Sequence, residues 1–157
     1  MTDKLTGQEL RQLVQRVFQP RDDDRGLMIM VDLPDEGLAD HADWRTRREL
    51  ATGWMAALEG EREALGLDRL TLAWFRNAGS NNADLPEHAV LAEADWQPQH
   101  AEELEERGSV PFAELFAAHS MVMAPTELSA TAPLKVATRE SGGFRAATMP
   151  GFLASMI

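Results

Sequence analysis

Apolar positions along this chain fall into helical stripes and short unbroken runs that alternate. Leu10, Leu13, Val14, Val17 and Phe18 recur at helical offsets. Ahead of them, Thr6-Gly7-Gln8-Glu9 has the spacing of a capping box, in which hydroxyl and carboxylate satisfy each other's orphan amides. Pro20 stops that helix, and Arg21-Asp22-Asp23-Asp24-Arg25 reads as a polar connector with a solvated acidic turn. Residues 26–32 form a continuous apolar run closing on Asp32, the signature of a strand buried on both faces. A loop at 33–37 leads to a helix predicted from about residue 43 to 64, with Leu50, Trp54, Ala57, Leu58 and Leu65 on one face. Gly53 and Gly60 weaken that helix by about 1 kcal/mol each relative to Ala. Close approach to a sheet is the expected compensation.

A second strand is predicted at 69–75, followed by an Asn-rich loop at 77–82. Residues 87–96 read as a short helix, and 101–107 as an acidic helical turn. Ser109 and Pro111 open a helix that continues through Phe112, Leu115 and Phe116. Residues 121–124 read as a third strand. Thr131 is expected to cap a helix over 132–141, which Gly142-Gly143 ends. Residues 144–148 read as a fourth strand, 149–151 as a turn, and 152–157 as the start of a new element. Alternation of strand and helix predicts a three-layer α/β domain. It has an open, mostly parallel sheet of four or more strands, of Rossmann-like or flavodoxin-like kind. Residues 1–24 form a leading helix and connector, and 25–157 the α/β domain.

Composition narrows the function. At 157 residues the chain has room for one domain, and 44% hydrophobic content excludes a disordered one. There is no cysteine, which excludes disulfides, thiol catalysis and Cys-based metal sites. A net charge of −11 speaks against nucleic acid or an anionic membrane surface as partner. No apolar run approaches the roughly 18 residues of a membrane span. The first residues lack an apolar signal core, so a cytoplasmic location is expected.

Nucleotide chemistry is disfavoured: no glycine fingerprint follows the first strand, where Pro34 and two carboxylates would repel a pyrophosphate. There is no Gly-x-Ser-x-Gly elbow. His41, His88, His100 and His119 show no pairing at helical ligand spacing. His41, beside Asp40 and Asp43, reads as an exposed helix start rather than a metal cluster, and His119 as a helix C-terminal cap. Glu102, Glu103, Glu105 and Glu106 read as a solvated face. Trp54 and Trp74 are placed in the core, whereas Trp96 lies beside Pro98 where a partner could cover it. No catalytic and no metal-binding residue is assigned.

One stretch is more specific. Ala124-Pro125-Thr126-Glu127-Leu128-Ser129-Ala130-Thr131 leads into a helix, and Gly143-Phe144-Arg145-Ala146-Ala147-Thr148-Met149-Pro150-Gly151 follows it. This tract resembles the N-terminal domain of the M29, aminopeptidase T-like, thermophilic metallo-aminopeptidases. Their pattern is Thr-x-x-Ser-x-Thr-His-Thr, a helix, then Gly-x-Arg-x-Ala-x-Met-Pro-Gly. The family's histidine and the threonine after it are Ala132 and Pro133 here.

The resemblance implies a hydrolase lineage in which metal-binding Glu, His and Asp residues lie in a second, C-terminal domain. Divalent zinc, cobalt or magnesium and a peptide substrate then belong to the complete enzyme, with none of the metal held by this chain. Thr126, Ser129, Thr131 and Arg145 become candidates for touching substrate, the missing domain or a homo-oligomer partner at the carboxyl ends of strands. The apolar end Phe-Leu-Ala-Ser-Met-Ile adds the expectation that the domain is truncated before the catalytic one. Two other readings stay open: a stand-alone interaction module, and a small-molecule-binding α/β protein.

Overall fold

The computed structural model describes residues 5–152. The expectation for 153–157 lies outside the described residues. The elements run α1 (Gly7–Phe18), β1 (Gly26–Leu33), α2 (Ala42–Glu59), β2 (Arg69–Arg76), β3 (His88–Leu91), a 3-10 helix (Ala101–Glu106), β4 (Val110–Pro111), α3 (Phe112–Ala118), β5 (Met121–Ala124), α4 (Thr131–Glu140) and β6 (Arg145–Thr148). The strands form one six-stranded open sheet in the order β4-β3-β2-β1-β5-β6. β2, β1, β5 and β6 are parallel, while β3 and β4 add an antiparallel margin.

The period-2 rule of a strand divides the core between the two faces. On β1, Leu27, Ile29, Val31 and Leu33 face one side with α1 and α2, and Met28 and Met30 face the other with α3 and α4. All eight residues of β1 are buried, as the unbroken apolar run predicted. Helices therefore cover both faces, as expected of a three-layer domain. The step from β1 to β2 carries α2 on one face. The step from β5 to β6 runs the other way across the sheet and carries α4 on the opposite face, so both crossovers have the same hand.

Local signals explain most boundaries. The capping box is formed: the Thr6 N–H donates to Glu9 Oε2 at 2.7 Å, and the Glu9 N–H to Thr6 Oγ1 at 3.2 Å. Leu10, Val14 and Phe18 bury the stripe of α1, each contributing about 1.5–3 kcal/mol. Gly26 is required at the start of β1, because a Cβ there would lie 2.7 Å from the Ala118 carbonyl. Gly142 and Gly143 both adopt positive φ, at 83° and 97°, and end α4 as expected.

Four expectations are corrected. Residues 88–91 form strand β3, not helix, because Ala89 and Val90 bury an alternating pair against β2 and Phe112. α2 ends at Glu59, where Gly60 is its C-cap, and turns occupy the segment as far as Gly66. Gly53 is exposed with open space around its Cα, so no sheet contact offsets its cost. Thr131 is the first residue of α4 rather than its cap, and the N-cap residue Ala130 supplies no side-chain bond.

Candidate functional site

Ligands of open α/β sheets collect at the carboxyl edge where neighbouring strands leave in opposite directions. Here that point lies between β1, which leads toward β2, and β5, which leads toward β6. Two loops roof it. The segment after β5 folds back over the end of β1, and Asp32 receives it: Oδ1 accepts the Glu127 N–H at 2.8 Å and Oδ2 the Leu128 N–H at 3.1 Å. The Asn-rich loop after β2 grips the same segment from the other side. Asn81 Oδ1 accepts the Ser129 N–H at 2.9 Å, and the Asn82 N–H donates to the Ser129 carbonyl at 2.8 Å. Asn82 Oδ1 also accepts the Ala132 N–H at 3.1 Å and so caps α4 from a neighbouring loop.

Charge closes the roof. Arg47 and Arg48, adjacent on α2, are both buried, and each has one principal carboxylate. Arg47 Nη1 donates to Glu127 Oε2 at 2.6 Å and its Nε to the Phe152 carbonyl at 2.9 Å. Arg48 forks onto Asp40 at 3.0 and 2.8 Å and also reaches Gln99. His41 is the N-cap of α2. Its Nδ1 accepts the Trp44 N–H at 3.3 Å, which leaves Nε2–H to donate to Glu127 Oε1 at 3.0 Å. The Trp44 indole N–H donates to the Asp32 carbonyl at 3.0 Å.

The carboxylates respond differently. Burial pushes Asp32 up to about 6; the two amide donors and the Arg47 charge oppose that rise only in part. Glu127 lies below its ordinary value, since burial is outweighed by its bonds to Arg47 and His41.

Of the residues named from the sequence, three meet here. Thr126 is buried, with its hydroxyl donating to the Leu128 carbonyl at 2.5 Å. Ser129 Oγ lies 3.2 Å from Thr131 Oγ1, which donates to Thr148 Oγ1 at 3.0 Å across to β6. Arg145 does not join them. It is the first residue of β6, paired in register with Met121 at the start of β5, and so lies at the amino edge. There its Nη2 donates to Asp24 Oδ2 at 2.5 Å. The acidic turn is accordingly not wholly solvated, because Asp24 is buried.

His119 is a buried cap: its Nδ1–H donates to the Leu115 carbonyl at 2.7 Å and its Nε2 accepts from the Thr71 hydroxyl at 2.7 Å. Burial lowers its pKa, and the ring stays neutral at pH 7. Trp54 and Trp74 are core residues as expected, and Trp96 stacks under the Arg107 guanidinium at 4.1 Å.

Sequence reading missed Arg47, Arg48 and Glu127 as site residues. Two charges inside the predicted helix gave no sign of burial, because their carboxylates come from residues 40 and 127.

Among the described residues, no group of three or more His, Asp or Glu side chains is placed to hold a metal ion. The donor chemistry explains this. Asp32, Glu127 and His41 come near one another, yet both oxygens of each carboxylate already take N–H donors. A divalent cation does not fit that donor set.

No family model, no curated protein and no solved structure matches the chain.

Proposed function

We propose that this chain is the non-catalytic N-terminal domain of a metal-dependent aminopeptidase of the M29 kind, acting in the cytoplasm. Its part is to wall a cleft whose metals (zinc, cobalt or magnesium) and hydrolytic groups come from a C-terminal domain. The observation that carries this is the roofed carboxyl edge. Thr126, Ser129 and Thr131 of the resembling motif gather there with Thr148, on a loop fixed by Asp32 and Arg47. A rigid loop at a sheet's carboxyl edge is where a wall for a neighbouring active site is best built. We read the parallel strands, in the order β2-β1-β5-β6, as flavodoxin-like in topology. Arg145 has no part in this wall and serves as the partner of Asp24.

Sequencing the gene downstream of codon 157 tests the proposal. The expected result is an open frame, or an adjacent gene, encoding about 200 further residues with clustered Glu and His. In the joined protein, release of N-terminal amino acids depends on added metal, and the 157-residue chain alone releases none. A chain that hydrolyses peptides by itself with added zinc, cobalt or magnesium overturns the assignment. So does a stop codon with no metal-binding coding sequence beside it.

A further inference from the structure

The face of the sheet opposite α1 and α2 carries a groove of about 870 Å³ between α3 and α4. Its α4 wall is Pro133, Val136, Ala137 and Glu140, at offsets 0, 3, 4 and 7. Leu134 of the same helix is buried against the sheet and Ala137 packs partly beside it, while Val136 is left uncovered. Val136 is 51% exposed, one of two large hydrophobic side chains so placed among the described residues. Across the groove stand Ala113 and Ala117 of α3, with Phe116 beneath. Small residues on both walls leave room for a backbone to approach. Besides carboxylates, the polar residues that line it are His88 and Ser141.

What covers this face is indicated by charge. Asp84, Glu87 and Glu140 stand on the rim, all exposed. Among the described residues, none of the three is in an ion pair. Helical period puts Lys135 on the far side of α4 from the groove and Arg139 on the flank of the helix. A second copy is a poor occupant, since each chain has net charge −11 and would bring its own acidic rim. The described chain's own ends are also poorly placed. Leu5 and Phe152 both pack on the α1–α2 face, Phe152 with its ring 5.5 Å from that of Trp54.

We propose that the α3–α4 groove docks an amphipathic helix of a partner protein, with an apolar stripe flanked by Lys or Arg. Pro133 to Glu140 spans about 10 Å, enough for two turns of that helix to seat anchors at i, i+3 or i+4, and i+7. This goes beyond the aminopeptidase assignment and does not depend on it.

The test is fluorescence anisotropy with a labelled Leu/Lys amphipathic peptide of about fifteen residues. A scrambled peptide of the same composition and a Leu/Glu peptide serve as comparisons. The striped basic peptide should bind at least about tenfold more tightly than either. Ala137→Trp fills the groove without changing charge and should weaken binding about tenfold. Glu87→Gln with Glu140→Gln should weaken it several-fold and flatten its salt dependence. Should Ala137→Trp fail to fold by circular dichroism, Val136→Ser, at an exposed position, gives the same readout with a smaller loss. Absence of binding overturns the proposal. Equal binding of the scrambled peptide, or indifference to both groove variants, reduces the effect to attraction by an acidic protein and also overturns it. Concentration-dependent self-association abolished by Ala137→Trp would make a second copy the occupant and overturn it as well.

Discussion

Strand β1 is flanked by two buried aspartates that face opposite fates. Asp24 lies just before its amino end and Asp32 near its carboxyl end, with 7% and 1% of their surfaces exposed. Burial pushes both upward. At Asp24 the Arg21 N–H and the Arg145 guanidinium outweigh it, and the carboxyl is held below its ordinary 3.8. At Asp32 the partners are two backbone amides, with Arg47 acting through space, and the carboxyl stays up at about 6. A guanidinium in contact neutralises a buried charge, whereas amide donors stabilise it without cancelling it. The amino edge is thus a closed ion pair. The carboxyl edge holds a loop through a group that changes charge within reach of ordinary pH.

The largest effect should come from removing the cation of the carboxyl edge. Arg47 is 2% exposed and joins α2 to Glu127 and to the Phe152 carbonyl. Arg47→Met leaves Glu127 beside Asp32 with no guanidinium between α2 and the loop. Glu127 is 24% exposed and partly rehydrates, which puts the cost near the low end for a broken buried pair, about 3–4 kcal/mol. Urea denaturation reads it. Adding Glu127→Gln should recover part of the loss, and a double mutant that only sums the singles would show that the two residues do not act as a pair.

Next comes the pH dependence that divides the two edges. Asp32 binds its proton more tightly in the folded state, so its contribution is fully present below 3.8 and is lost as pH rises through about 6. The shift of about 2 pH units corresponds to roughly 2–3 kcal/mol. Asp24, Asp40 and Glu127 have the opposite sign: their contribution is present above their ordinary values and is lost as pH falls through the lowered ones. In NMR titrations the Glu127 and Leu128 amides should move with a midpoint near 6, while the Asp24 carboxyl titrates below 3.8. Asp32→Asn should abolish the first step alone. A midpoint for those amides below 4 would put the two aspartates in one class.

Much of this architecture was legible because it rests on period and punctuation. The buried run 26–32, the capping box at Thr6 and the Gly142-Gly143 stop are local signals, and each forms as read. Residues 88–91 were not legible as a strand. Ala89, Val90, Leu91 and Ala92 suit either period, and only the antiparallel neighbour decides between them. The candidate site was legible in part. Thr126, Ser129 and Thr131 come together, but Arg145 is drawn to the far edge, because a motif gives no hint of where a strand's first residue lies in space. Asp32 was visible as a carboxylate ending a strand. Its partners at 127 and 128 are about a hundred residues distant, and no local pattern encodes that contact.

At the amino edge, Arg145→Met should cost about 2 kcal/mol, less than Arg47→Met. Arg145 is itself 30% exposed, so water can enter beside Asp24 once the guanidinium is gone. Asp24 also keeps the Arg21 N–H at 2.7 Å. Adding Asp24→Asn to Arg145→Met should restore most of the loss, since the buried charge is then removed. Thermal melts of the three variants at pH 7 give the ranking. Equal losses for Arg145→Met and Arg47→Met would remove the distinction between a closed ion pair and a charged latch.

The smallest effect probes how the carboxyl edge is tied to α4. Asn82 sits at φ 61°, a left-handed conformation that Asn tolerates, and its Oδ1 takes both the Ala132 N–H and the Ser129 hydroxyl. Substituting Ala would remove the cap and strain the backbone together. Asn82→Gly keeps the backbone comfortable and removes only the side-chain oxygen. Its cost should be about 1 kcal/mol, the usual value of a lost N-cap. Amide exchange at Ala132 and Ser129 should speed up, while exchange at Arg145 and Ala146, at the start of β6, stays unchanged. Faster exchange at both ends of β6 would mean that the two edges open together, as one cooperative unit rather than two.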